Sequence, residues 1–162
     1  QKEGRQSCAE KVDAVIGEDA VTFSADIAKA YPGSGLKSLL RKLTFAKKEN
    51  PSLLIQDTAV FADAVRPLTE RLITKFPVTV EKNQAVIRGN KGELVLTGSK
   101  GTFFVSQTSY KRKADEPDVE VYLLDLILNP NEPGQTGGDD TDGRTREVSI
   151  CASYRQRKND SQ

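Results

Sequence analysis

The spacing of apolar residues changes at Pro77, and this change constrains the fold more than any other feature. After Pro77, apolar and polar residues alternate in short runs that Gly and Asn residues separate. Alternation with a period of two is typical of β-strands that bury one face, and Gly or Asn between such runs indicates turns. The run 119–128 is almost continuously apolar, so we expect it to be a central strand. The pattern predicts strands over 78–81, 85–88, 93–97, 102–110, 119–128 and 147–154.

Before Pro77, apolar residues recur three and four positions apart, which is the spacing of a helix that buries one face. We therefore expect helices over 8–16, 23–31, 34–48 and 57–73, with a kink at Pro67 in the last one. In the helix over 34–48, basic residues that include Arg41 would form a solvated face. Helices followed by antiparallel strands define an α+β domain. In this fold the N-terminal helices would pack on an antiparallel sheet of about five or six strands.

No internal repeat or linker divides the chain, so we expect a single domain over residues 1–162. Residues 1–7 and 156–162 are polar and are expected to be frayed tails. Residues 129–145 are rich in Gly, Pro, Asp and Asn and contain almost no apolar side chains. Such a segment cannot bury enough surface to offset its ordering entropy, so we expect a mobile loop.

The charge balance and the absence of His exclude several classes of protein. The chain has 24 Lys and Arg residues, 23 Asp and Glu residues, and no His. Nucleic-acid binders show a strong basic excess, so we expect no nucleic-acid partner. The missing His removes the usual general base near neutral pH and the commonest zinc ligand. We therefore expect no catalysis, no metal and no cofactor.

An acidic segment, DDTDG at residues 139–143, resembles part of a calcium-binding loop. Such a loop needs oxygen ligands at alternate positions and a bidentate Glu at its end, and Gly138 lies where the first ligand would be. The spacing therefore favours a solvated loop, and no metal site is predicted.

Two cysteines, Cys8 and Cys151, lie near the two ends of the chain. They could be unpaired buried thiols, which are common inside cells, or a disulfide worth about 5 kcal/mol through its effect on the unfolded chain. The chain has no Met, so Gln1 is not an initiator residue; it follows processing such as loss of a signal peptide, an artificial boundary, or the removal of a tag. On this ground we favour the disulfide and a secreted or cell-surface location.

Two basic clusters lie at the ends of predicted strands. Their members are Lys111, Arg112, Lys113, Arg155, Arg157 and Lys158. If the clusters meet in space they could bind a sulfated glycan through charge, and otherwise each keeps a strand end soluble. Asn159 begins a glycosylation sequon, which is a weak signal in a terminal tail.

Two segments resemble the coccidian surface antigens of the Eimeria SAG type. Residues 8–13, with the sequence CAEKVD, are similar to the first-helix cysteine segment of that family. Residues 129–130, with the sequence NP, and residues 148–151, with the sequence VSIC, are similar to its closing strands. The resemblance implies a CAP-like three-layer α/β/α sandwich, a GPI-anchored location, and host-cell attachment or antigenic display without catalysis. It also implies that Cys8 and Cys151 form the retained disulfide.

Two function classes therefore remain at this point. The first is a surface adhesin or antigen whose partner is a host-cell surface protein or a sulfated glycan. It would contact a membrane only through a lipid anchor outside these residues. The alternative is a secreted or periplasmic inhibitor or immunity protein that blocks an enzyme.

Overall fold

The computed structural model describes residues 7–47, 50–81, 83–111, 115–128 and 144–156. The sequence predicts frayed tails and a mobile loop, and most of these residues, namely 1–6, 129–143 and 157–162, lie outside the described part. Arg144 is described, and Thr145 and Gln156 are the first and last residues of a strand.

The described residues form β-strands almost throughout and contain no α-helix. The strands are β1 (Glu10–Ile16), β2 (Ala20–Asp26), β3 (Leu36–Ala46), β4 (Ser52–Phe61), β5 (Leu68–Thr74), β6 (Val78–Glu81), β7 (Gln84–Arg88), β8 (Gly92–Gly98), β9 (Thr102–Tyr110), β10 (Val119–Leu128) and β11 (Thr145–Gln156). A short 3-10 turn, Ala28–Ala30, lies between β2 and β3.

The strands form two antiparallel sheets. The large sheet has eight strands in the order β1-β2-β3-β4-β11-β8-β7-β6, and the small sheet has three in the order β5-β10-β9. The sheets pack face to face, since the main core cluster combines Leu124 and Leu126 of β10 with Leu96 of β8 and Ile150 of β11. A smaller cluster of Leu39, Ala59 and Phe61 lies near one end of β3 and β4.

The prediction of an α+β domain with N-terminal helices is therefore wrong, and so is the CAP-like α/β/α sandwich. All four regions expected to be helical contain strands, from β1 to β5. The strand positions predicted after Pro77 agree with β6 to β11, and the run 119–128 is the middle strand of the small sheet. The sheet of about five or six strands is replaced by sheets of eight and three strands.

Strand β3 shows why the helix prediction fails. Residues 39, 41 and 43 of β3 point to the core, and the middle one is Arg41. A charged residue therefore stands where an alternating strand pattern would have an apolar one. Leu40 points to the opposite face, where it is 41% exposed. The leucines at 39, 40 and 43 thus reproduce the spacing of a helix although the backbone is extended.

The structure also corrects the predicted disulfide, because Cys8 and Cys151 are both free and exposed. Cys8 lies just before β1, whereas Cys151 lies within β11, and β2, β3 and β4 separate these two strands. Four strand spacings of about 4.8 Å place β1 and β11 roughly 19 Å apart. A disulfide needs Cα atoms within about 7 Å, so the sheet keeps the two thiols apart.

We expect both thiols of the folded protein to react with a thiol reagent in the absence of reductant. Both are exposed, and the sheet prevents them from pairing within one chain. A colorimetric thiol titration should therefore report both cysteines, and unfolding the protein should not raise the count. A count of zero would show that the two are bonded.

The turn between β8 and β9 carries the chain from the large sheet to the small one, and Gly101 in it has φ +84°. A Cβ at Gly101 would lie 2.6 Å from the backbone oxygen of Ile127, whereas a Cβ at Gly33, with φ +78°, would meet nothing within 4 Å. We expect Gly33→Ala to cost about 1 kcal/mol through backbone strain alone. Gly101→Ala should cost at least about 1 kcal/mol more in urea unfolding, because the clash adds to the strain. Equal losses in the two variants would contradict the close approach.

Candidate functional site

Three ionisable side chains from three strands meet between the two sheets. Arg41 of β3 donates from Nε to Asp57 Oδ1 of β4 at 2.8 Å, and from Nη2 to Asp57 Oδ2 at 2.5 Å. The same Nη2 lies 2.5 Å from Glu70 Oε2 of β5. The Asp57 side chain is 1% exposed and that of Glu70 is 11% exposed. The Arg41–Asp57–Glu70 cluster therefore links the large sheet to the small sheet.

The cluster holds a proton that an ordinary glutamate would release. Burial, together with a hydrogen bond and the negative charge of Asp57, raises the pKa of Glu70 to about 8, although Arg41 opposes the shift. The hydrogen bonds to Asp57 raise the pKa of Arg41 further above its ordinary value. At neutral pH the cluster thus contains one cation, one anion and one neutral carboxyl, so its net charge is close to zero.

Above this cluster opens a groove of about 720 Å³, which we call the arginine groove; Tyr31, Ser34, Arg41, Arg66 and Glu70 are among its lining residues. The guanidinium of Arg66 lies over Gly35, where a Cβ would come within 2.8 Å of Arg66 Cζ. Gly35 has φ +76°, a left-handed backbone conformation that glycine adopts without strain. Because glycine has no Cβ, the guanidinium of Arg66 can also lie close to its backbone. Tyr31 is 37% exposed and lines the same groove.

Backbone hydrogen bonds hold the two loops that carry these side chains. Ala62 N donates to Gly35 O at 2.9 Å, which joins the loop after β4 to the loop before β3. Burial opposes ionisation of Asp26, but donors from Leu39 N, Ser38 Oγ and Ala28 N outweigh it and lower the pKa of the Asp26 carboxyl. Asp26 therefore anchors the turn that leads to Tyr31.

Three arginines line the arginine groove, and two of them already have carboxylate partners. Arg41 is bonded within the cluster, and Arg71 makes two 2.7 Å hydrogen bonds to Asp125. Arg66 is exposed and makes no ion pair with any residue that the structure describes. Its guanidinium is therefore the cation of the groove that has no carboxylate partner among the described residues.

A second opening, the apolar cleft, lies farther along β5 and has a volume of about 740 Å³. Its lining includes Leu53 and Ile55 of β4, Ile73 of β5, and the aromatic rings of Phe76 and Tyr154. The Tyr154 hydroxyl donates to Lys91 O at 3.1 Å, which holds the ring at the rim. The lining surface is mostly apolar, so this cleft suits an apolar occupant.

The structure describes two of the six cations predicted to bind a glycan, and they belong to different sheets. Lys111 follows β9 of the small sheet and lies 3.8 Å from Asp118. Arg155 lies in β11 of the large sheet, opposite Glu93 of β8. The other four cations, Arg112, Lys113, Arg157 and Lys158, lie outside the described residues, as does Asn159. The joining of the two basic clusters into one patch therefore stays a prediction.

Within the described ranges, no group of three or more acidic or cysteine side chains could hold a metal ion. The acidic segment 139–143 lies outside those ranges. The described ranges also contain no helix that could cross a lipid bilayer.

The sequence interpretation missed the residues that form the arginine groove, since it assigned Arg41 to the solvated face of a helix. One signal was present: in an extended strand, Arg41 shares a face with Leu39 and Leu43, so a charge lies among core-facing positions. Arg66 and Tyr31 carried no comparable signal. Each lies in a loop, and only the packing of the loops brings the two side chains to one groove.

Comparisons with known proteins support the fold and give no family. No protein-family model matches the chain, and no curated protein matches it. Among solved structures, the chain is similar to the heparan sulfate lyase HepC from Pedobacter heparinus, with a TM-score of 0.63 and 14% identity. It is also similar to a heparinase III gene product, with a TM-score of 0.59 and 6% identity. Each alignment covers 93% of this chain and 22% of the other, so the chain spans about a fifth of the length of these enzymes.

The protonated Glu70 predicts a pH dependence of stability. The unfolded chain releases the Glu70 proton near pH 4.5, whereas the folded protein keeps it until about pH 8. Stability should therefore fall as the pH rises between these values, by about 5 kcal/mol in total at about 1.4 kcal/mol per pH unit, and level off above them. No His titrates in this window, so no imidazole contributes to the slope.

Urea unfolding between pH 5 and pH 8 measures this effect, with Glu70→Gln as the matched variant. The amide is neutral at every pH, so the variant should lose most of the slope. An equal slope in the parent and in Glu70→Gln would assign the pH dependence to another group.

Proposed function

We propose that this chain is a non-catalytic β-sandwich module that binds an anionic, sulfated glycan in the arginine groove. The observation that carries the proposal is the exposed Arg66, whose guanidinium lies over Gly35 and has no ion-pair partner among the described residues. A guanidinium binds sulfate or carboxylate through two parallel hydrogen bonds, and this geometry suits it better than a lysine. The exposed ring of Tyr31 adds an apolar surface on the same groove.

Two further facts support the proposal. The solved structures that share the fold are described as a heparan sulfate lyase and a heparinase III, whose names indicate sulfated glycans. Glu70 of the groove and the buried Asp57 beneath it are both bonded to Arg41, and the chain has no His to act as a base near neutral pH. Binding without chemistry is therefore the simpler role for these residues. Secretion and cell-surface attachment stay predictions of the sequence.

Calorimetric titration with a heparin oligosaccharide at low ionic strength tests the proposal. We expect Arg66→Gln to weaken binding at least about tenfold, because a hydrogen-bonded ion pair contributes roughly 1.5–3 kcal/mol. Binding by the parent should also weaken at physiological ionic strength, where the screening length is about 8 Å.

The double variant Lys111→Gln/Arg155→Gln is the matched control, since it removes two exposed cations outside the groove. It should bind like the parent. Loss of binding in the double variant, with Arg66→Gln unaffected, would move the site to the basic clusters predicted from the sequence. No binding by the parent at low ionic strength would reject the glycan.

A further inference from the structure

The floor of the apolar cleft has a short side chain at its centre. Ala152 of β11 lies opposite Leu53 of β4 on one side and opposite Leu96 of β8 on the other. Side chains paired in this way share one face of a sheet, and all three line the cleft. Because Ala152 is much shorter than the two leucines beside it, this row of side chains is hollow in the middle. A molecule that enters the cleft would therefore lie over Ala152.

A second row of side chains extends the floor toward the mouth of the cleft. Tyr154 lies two residues after Ala152 on the same face of β11, opposite Leu94 of β8, and Leu94 lies opposite Ile87 of β7. The two rows cross four neighbouring strands, β4, β11, β8 and β7. Three strand spacings of about 4.8 Å make this floor roughly 14 Å wide. The floor is thus wide enough to hold an extended aliphatic chain.

Contacts within the protein hold the rim of the cleft in place. The Tyr154 hydroxyl, which donates to Lys91 O, belongs to a ring that lies against Gly92, where any Cβ would clash. On the side of the small sheet, Phe76 N donates to Thr74 Oγ1 at 3.1 Å. A preformed cleft of about 740 Å³ with a mostly apolar lining and a few polar groups is typical of sites for small molecules.

The charged residues of the lining favour an anion at the mouth. Glu93 Oε1 lies 3.2 Å from Arg88 Nε, so a cation already accompanies this carboxylate. Lys91 lies in the turn between β7 and β8, is exposed, and makes no ion pair with any residue that the structure describes. The cleft therefore combines an apolar floor with one cation that has no carboxylate partner in the described part of the chain.

We propose that the apolar cleft binds a monomeric fatty acid, with its aliphatic chain over Ala152 and its carboxylate beside Lys91. Each methylene group that leaves water on binding strengthens the binding about fourfold. The carboxylate would stay at the mouth, because a buried charge is costly unless it is paired. The cleft shares no lining residue with the arginine groove, so this proposal does not depend on the glycan.

Calorimetric titration with decanoate tests the site, and octanoate is the comparison ligand. We expect saturable binding of decanoate, and binding about tenfold weaker for octanoate, which is two methylene groups shorter. Ala152→Leu should weaken decanoate binding at least about tenfold, because the larger side chain fills the hollow of the floor. Ser153→Leu is the matched control, since it adds the same side chain on the exposed, opposite face of β11 and should bind like the parent.

The variant Lys91→Gln and the neutral ligand decanol test the position of the carboxylate. The variant should bind decanoate about threefold more weakly, as expected for loss of an exposed ion pair, and should bind decanol like the parent. Lys91 lies in an exposed turn, so this comparison decides the question even if Ala152→Leu does not fold.

Several results would overturn the proposal. One is the absence of saturable binding up to about 1 mM decanoate, which corresponds to the weakest affinity worth assigning. Undiminished binding in folded Ala152→Leu would place decanoate on another apolar surface. Equal affinities for octanoate and decanoate, or an equal effect of Lys91→Gln on decanoate and decanol, would also contradict it. Binding to vesicles of phosphatidylcholine and phosphatidylserine, without binding of decanoate, would assign the rim to a membrane surface.

Discussion

The hydrogen-bonded cluster of Arg41, Asp57 and Glu70 is the constraint on which the two-sheet arrangement depends. It places three ionisable groups where the sheets meet, and Asp57 is almost completely removed from solvent. Buried charges are costly unless they are paired and hydrogen-bonded. The proton on Glu70 meets this requirement, because it leaves one cation against one anion. The small sheet is therefore joined to the large one by a neutral polar cluster beside an apolar core.

The same cluster determines which groups remain available at the surface. Arg41 is committed to two carboxyl groups and Arg71 to Asp125, so Arg66 is the arginine of the groove without a carboxylate partner among the described residues. The different sizes of the sheets leave a second kind of surface, on which Phe23 and Phe45 are exposed on the core-facing side of β2 and β3.

The buried charges also explain why the sequence interpretation failed in β3, β4 and β5. In β6 to β11 the short alternating runs, together with the almost continuous apolar run of β10, are clear enough to locate every strand. In β3, β4 and β5 a charged residue occupies a core-facing position, and this breaks the alternation on which strand prediction depends. Arg41, Asp57 and Glu70 therefore gave three strands an irregular pattern that was interpreted as helical. The residues that form the cluster are the same residues that made the fold around it hard to predict.

The sequence by itself determined the local strand pattern after Pro77, the near-neutral charge and the absence of any His chemistry. Only the tertiary structure decided which strands are neighbours, because β4 pairs with β11 across most of the chain length. That pairing separates Cys8 from Cys151, and the packing of the two sheets brings Arg41 to Glu70. The physical reason is that strand pairing uses backbone hydrogen bonds common to all residues, so partners are selected by the packing of whole sheets and not by local sequence.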